Sequence, residues 1–221
     1  MAAAAWPDLS IIRSRVRSLV NEESTSIFLP DTILNRFINE AERDIATKTG
    51  CLESVDSGTT SSGSRTVAFS GYKVKYVEYV GANGPIGLQR ITLKHLGHAQ
   101  VTDTTPQYWA QWGTNLIIEP LPPATPYTLT LYVSDFPAGD MAADTDEPSI
   151  PSEYHEDIIQ FALFRTLLRD RKWQLASYVY NKYIESIMAK KSMLTEQKAD
   201  RLMAIKIPDY IQVPQPPKGG N

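Results

Sequence analysis

The stretch NLIIEPLPPATPYTLTLYV, residues 115–133, decides how the chain is read. After its last proline, Tyr127, Leu129, Leu131 and Val133 fall at every second position, and Thr128, Thr130 and Tyr132 face the other way. A period of two is the mark of a half-buried strand. Ahead of it stands a short apolar run, residues 116–118. Between the two lies Pro-Leu-Pro-Pro-Ala-Thr-Pro, which can form neither a helix nor a central strand. The stretch reads as an antiparallel pair joined by a rigid loop. It sits in the middle of a chain whose two ends read as helix.

Upstream, Asp8 is a candidate N-cap, and Leu9, Ile12, Val16, Leu19 and Val20 recur at helical spacing. A polar break follows at residues 21–26. Pro30 and Asp31 open a second helix with Ile33, Leu34, Phe37, Ile38, Ala41 and Ile45 on one stripe and Gly50 placed to end it. From residue 51 the texture changes. SGTTSSGSR, residues 57–65, reads as a flexible loop. Strands are predicted at 66–69, 72–80, 88–93, 108–111, 115–118 and 127–133, with the glycines 81, 84 and 87 joining two of them. AGDMAADTDEPSIP, residues 138–151, reads as a solvated acidic loop.

Helix returns at Pro151. Tyr154, Ile158, Phe161, Ala162 and Arg165 trace one stripe, and Ile159, Leu163, Phe164, Leu167 and Leu168 much of the rest, so this helix is expected to be buried on most sides. A fourth helix begins near Gln174, carries Tyr178, Val179, Tyr183, Ile184, Ile187 and Met188, and is expected to run, with a break, to about Lys206. The Pro-rich end has no core-forming period and reads as extended. The layout predicts an α+β fold: a bundle of about four helices (residues 6–50 and 151–206), an antiparallel β-rich insertion between helices two and three (51–150), and an extended C-terminal tail (207–221).

The bulk numbers narrow the function. With 42% hydrophobic and 21% charged residues the 221-residue chain can bury a core. A net charge of -3 argues against a protein whose main task is gripping nucleic acid. The single cysteine, Cys51, cannot form an internal disulfide and suits a reducing cytoplasm. No apolar run reaches membrane-spanning length. The opening MAAAAW lacks a basic segment followed by a long apolar one, and does not read as a signal peptide.

Chemistry is sparse. His95 and His98 are the one histidine pair, without a third ligand nearby, and read as loop or surface residues rather than a metal site. His155–Glu156 begins a helix but lacks the second histidine of a zinc protease. The three glycines at 81, 84 and 87 sit between strands, so they read as a hairpin turn and not a dinucleotide fingerprint. Cys51 reads as a small residue at a helix end. Asp140, Asp144, Asp146 and Glu147 lack the ligand order of a calcium loop. Arg13, Arg15 and Arg17 read as a solvated or ion-paired face. Arg165, Arg169, Arg171 and Lys172 form the one basic cluster: either a charged helix C-terminus, which the helix dipole favours, or an interface that guides DNA. Trp109 and Trp112 either pack in a core or stack on sugars. No cofactor and no metal is expected.

The order of these features resembles the head-to-tail adaptor (connector) proteins of tailed bacteriophages, including the podovirus tail accessory and tail tubular adaptors. The resemblance covers roughly residues 28–190. It rests on LPDTILNRFINEAERDIA in the helix pair and on the Pro-x-Tyr-Trp strand of PQYWAQWG. It rests also on the Gly-x-x-Leu strand, the Pro-x-Pro turn, Ile-Pro-x-x-Tyr-His before the third helix, and spaced tyrosines in the last. It implies a structural virion protein of the neck, assembled in the host cytoplasm, with no enzymatic activity and no membrane contact. Copies would form a ring, commonly twelvefold, with the portal above and a tail or nozzle protein below. The ring would seal the head, give the tail its platform and leave a channel for DNA without specific binding. In such a ring the tail residues Ile207, Tyr210, Ile211 and Val213 suit docking on the portal or a neighbouring subunit. Two other readings are a carbohydrate-binding module of a virion appendage, using Trp109 and Trp112, and a hydrolase built on His95 or His98.

Overall fold

The computed structural model describes residues 7–22, 27–81, 84–95, 105–122 and 126–203. Among them the chain is α+β, with four helices and two four-stranded sheets. The first helix, α1 (Leu9–Leu19), is capped by Asp8, whose carboxylate accepts the Ile11 N–H at 2.8 Å. α2 (Asp31–Thr49) starts after Pro30 and stops at Gly50, which takes φ +66° and donates its N–H to the Ala46 carbonyl. α3 (His155–Arg169) and α4 (Trp173–Met203) are joined by a short corner.

α2 and α3 form a central pair; α1 packs against one side of it and α4 against the other. The chain direction alternates. Arg17 near the end of α1 meets Asp31 at the start of α2, and Arg169 at the end of α3 reaches the Phe28 carbonyl. Lys190 of α4 returns to Asp157 at the start of α3. One end of this layer therefore holds Leu19, Asp31 and the α3–α4 corner. The other holds Gly50, the 138–151 loop and the β strands. α4 is an unbroken helix through Met203, not the interrupted one expected, and its 31 residues are about 46 Å long at 1.5 Å each. It thus extends well beyond the 15-residue α3.

Burial follows the predicted stripes in α2 and α3, with Leu34, Phe37, Ile38, Ala41 and Ile45 facing Ile158, Ile159, Phe161 and Ala162. α1 departs from its stripe. Leu19 is exposed, while Arg13 and Arg17, four residues apart on one face, are buried. Asp31 explains them: Arg17 approaches its carboxylate at 2.5 Å and Arg13 at 3.4 Å. Arg13 also pairs with Asp144. The 138–151 loop is accordingly not a free solvated loop. Met141 and Ile150 enter the helical core, Leu9 N–H donates to the Asp146 carbonyl, and Asp140 pairs with Arg43.

The strands are β1 (Glu53–Thr59), β2 (Thr66–Ala68), β3 (Lys73–Gly81), β4 (Gly84–Gly87), β5 (Gln89–Arg90), β6 (Tyr108–Trp112), β7 (Asn115–Glu119) and β8 (Thr128–Ser134). One sheet has the order β1-β8-β3-β4 and the other β2-β7-β6-β5. Both contribute to one apolar core, including Val74, Val77, Leu129, Leu131 and Val133 from the first and Val67, Trp109, Leu116 and Ile118 from the second. The expected hairpin across residues 115–133 is thus overturned. β7 and β8 lie in different sheets, and the proline segment carries the chain from one to the other. Proline cannot join a central ladder, but a segment of this length can cross between two layers as well as reverse within one.

The last three residues of β1 fall in the stretch that reads from sequence as loop. Its inward face is Ser54, Asp56 and Gly58, opposite Val133, Leu131 and Leu129 of β8, while Val55 points out. Apolar alternation is inverted there, so no pattern announces the strand. Residues 84–87, expected as part of the turn between strands 72–80 and 88–93, instead form β4, which pairs antiparallel with β3, while Gln89–Arg90 belongs to the other sheet, so the expected hairpin between those two strands is overturned. The predicted strand at 88–93 shrinks to Gln89–Arg90, followed by a short 3-10 turn at Leu93–His95.

Candidate functional site

The α3–α4 corner exposes a group of large side chains. Arg171 turns the chain in a left-handed conformation, φ +58°. Arg171, Lys172, Trp173, Gln174, Leu175 and Tyr178 line an open groove of about 710 Å³. Trp173, Leu175 and Tyr178 leave half or more of their surface to solvent. Their exposure has a helical cause. Ala176, Tyr183 and Ile187 face α2 and α3, so Leu175 and Tyr178 fall on the opposite side. Tyr178 and Tyr183, both expected on this helix, fall on different faces of it. Counting phase from Ala176 separates the two.

The basic cluster divides. Arg165 pairs with Glu40 at 2.8 Å and lies over the Phe37 ring. Arg169 donates to the Phe28 carbonyl at 2.8 Å and lies over its ring. These two tie α3 to α2 and to the segment before it. Arg171 and Lys172 remain at the corner, where Lys172 pairs with Asp170 at 2.6 Å. Ile207, Tyr210, Ile211 and Val213 lie outside the described residues.

The two tryptophans do not make a platform. Trp109 is 1% exposed, in the core between the sheets, and its indole N–H donates to the Leu88 carbonyl at 3.2 Å. Trp112 is 66% exposed. Residues three apart on a strand point to opposite faces, so the spacing already forbade a shared stacking surface. The carbohydrate-binding reading that used both is overturned.

His95 is exposed, its Nδ1 within 3.1 Å of Thr92 Oγ1, and His98 lies outside the described residues. Among the described residues no group of three or more histidine, cysteine or acidic side chains is arranged to hold a metal. His155 is buried, with Nε2 3.0 Å from the Ile150 carbonyl. Burial pushes the Cys51 thiol above its usual value, the opposite of what activates a nucleophile. It pushes the Tyr154 phenol up to about 12. Tyr183 is also raised, first by burial and then by its hydrogen bond to Asp44. No described helix is long and apolar enough to cross a membrane.

No curated protein matches the chain. The model of the SU10 adaptor protein family matches residues 8–207, a span that takes in all four helices and both sheets. The chain therefore belongs to the SU10 adaptor protein family of phage head–tail adaptors, which are structural proteins.

Proposed function

We propose that this chain is the subunit of a ring, commonly twelvefold in such adaptors, that sits below the portal, closes the DNA-filled head and gives the tail or nozzle its attachment platform. The family match over residues 8–207 carries the reading. The helices form a bundle that builds the ring, and the β strands are an insertion presented to tail components. The protein acts without catalysis. Its buried ionisable groups serve structure: Asp157 pairs with Lys190, Glu42 holds the Ser149 N–H, and Tyr183 donates to Asp44. DNA passes through the central channel without specific contacts, consistent with the net charge of -3. Assembly takes place in the host cytoplasm, and residues 207–221 fasten the ring to the portal through Ile207, Tyr210, Ile211 and Val213.

The test is to mix the purified full-length chain with the portal protein of the same phage and image the product by negative-stain microscopy. A ring of density beneath the portal is expected. Bare portals beside free subunits would refute the reading. Deleting residues 207–221 should leave the subunit's thermal melt unchanged and weaken portal attachment.

A further inference from the structure

We infer that neighbouring subunits join head to tail through two different faces, the outward side of α1 on one copy against the outward side of α4 on the next. The inference rests on the proposed ring and adds which residues close it.

A ring needs two complementary patches on opposite flanks of each subunit, because a patch that pairs with itself stops at a dimer. The helical layer supplies such a pair. α1 and α4 lie on opposite sides of the α2–α3 pair. On α1, Ile11 and Leu19 are exposed, with Arg15 between them. On α4, Trp173, Leu175 and Tyr178 are exposed around the corner groove of about 710 Å³. Lys182 and Glu185 continue the same side of α4 one to two turns further on.

The levels agree. Leu19 ends α1 at the end of the layer where α4 begins, because Arg17 and Arg169 both reach the segment that leads into α2. Rotation about an axis along the helices preserves height, so Leu19 of one copy comes level with Leu175 and Tyr178 of the next. α1 and α4 run in opposite directions. Ile11, about 12 Å below Leu19, then comes level with the stretch of α4 that carries Lys182 and Glu185. The charges agree as well. Arg15 is more than half exposed, and among the described residues its ion pair, to Glu156, is loose at 3.7 Å. Glu185 is two-thirds exposed and, among the described residues, pairs within its own helix with Lys182. Ser14, Arg15 and Ser18 put no acid on the outward side of α1 to oppose it. The occupant of the α4 face is thus α1 of a second copy, with Leu19 in the corner groove and Arg15, about 6 Å below it, beside the Lys182–Glu185 pair, where it competes with Lys182 for the Glu185 carboxylate.

The test uses full-length chains in a Cys51→Ser background, so that only an introduced thiol reacts. One chain carries Leu19→Cys and the other Leu175→Cys. The two are mixed, assembled on portal and treated with a short bis-maleimide. Cross-linking between the two kinds of chain is expected, with neither kind linking to itself. Arg15→Glu should weaken assembly about tenfold or more, and adding Glu185→Arg to the same chain should restore it. Rings that form without a cross-link between the two chains, or a Leu175→Cys chain that links to portal instead, would overturn the inference and leave the ring reading intact. Failure of unmodified chains to form any ring would refute the ring reading and the inference with it. A charge swap that restores nothing would remove Arg15 and Glu185 from the interface.

Discussion

The helical core buries more large side chains than the β core, and the two are built from different materials. Between the sheets the buried cluster is apolar, centred on Trp109, Leu116, Ile118, Leu129 and Leu131, with Glu119, Ser134 and Thr60 buried at the strand ends. Among the helices, buried charge is threaded through the apolar cluster: Arg13 and Arg17 on Asp31, Lys190 on Asp157, which is wholly buried, Glu42 on the Ser149 N–H. The difference follows from what each must hold. The sheets carry their own hydrogen-bond ladders and need only to be pressed together. The helices must also fasten the loops that run past them, and an arginine in the core reaches loop carboxylates that no leucine can.

The comparison breaks most easily at its largest residues. Trp109→Ala is expected to cost about 3–5 kcal/mol, the range for deleting a buried aromatic, and to leave the Leu88 carbonyl without its indole donor. Phe161→Ala should cost a similar amount, about 3–5 kcal/mol. Its ring meets Phe164 and Tyr183 edge-on, at 5.8 and 5.3 Å. Urea unfolding of the two variants measures both. A loss under about 1 kcal/mol at Trp109 would mean that the sheets do not share a close-packed core.

Next comes the polar side of the helical core. Tyr183 is fully buried and donates its hydroxyl to Asp44, which also holds Lys48. Tyr183→Phe keeps the ring contacts and removes only that bond to a charged acceptor. The expected cost is about 1.5–3 kcal/mol, at the lower end because Lys48 still serves Asp44. An unchanged melting temperature would show that the phenol does not anchor α4 to α2.

How much of this was legible varied with the material. α2, α3 and the alternation of β8 could be read directly, since each buries a stripe of plain apolar residues. Asp8 and Gly50 marked helix ends because their chemistry is local. β1 could not be read, because its inward face is Ser54, Asp56 and Gly58. A methyl group on Gly58 would come within 2.4 Å of Val67 Cγ1, so the glycine lets the second sheet approach. Gly58→Ala should therefore cost about 1–3 kcal/mol, as overpacking does, and equal stability would place β1 further from Val67. Nor could the sheet membership of β7 and β8 be read, since a proline segment that crosses looks like one that turns. Of the candidate sites, the basic cluster was visible as charge, but its division between Arg165 and Arg169 on one hand and Arg171 and Lys172 on the other depends on where Glu40 and Phe28 lie. The exposed face of α4 was hidden among apolar residues that looked like core.

The smallest effect concerns pH and separates the two cores chemically. Glu42 is 1% exposed in the helical core, and desolvation raises its carboxyl above the usual value despite the hydrogen bond from Ser149. In the β region Asp56 lies at the sheet edge, and the hydrogen bond from the Ser70 N–H lowers it instead. A carboxyl raised in the folded state binds its proton more tightly there than in the unfolded chain. Its titration therefore favours the folded state at pH below the unfolded value near 4.5, and that contribution is lost as pH rises through the folded value. At neutral pH the buried charge is a net burden. Glu42→Gln keeps an oxygen for the Ser149 N–H and removes the charge. The variant is expected to be at least as stable as the wild type at pH 7, with the difference shrinking as pH falls toward 4. Denaturant unfolding of both proteins at the two pH values measures it. A Glu42→Gln protein that is less stable at pH 7 than at pH 4, relative to wild type, would mean that the ionised carboxylate strengthens its hold on the 138–151 loop by more than its burial costs.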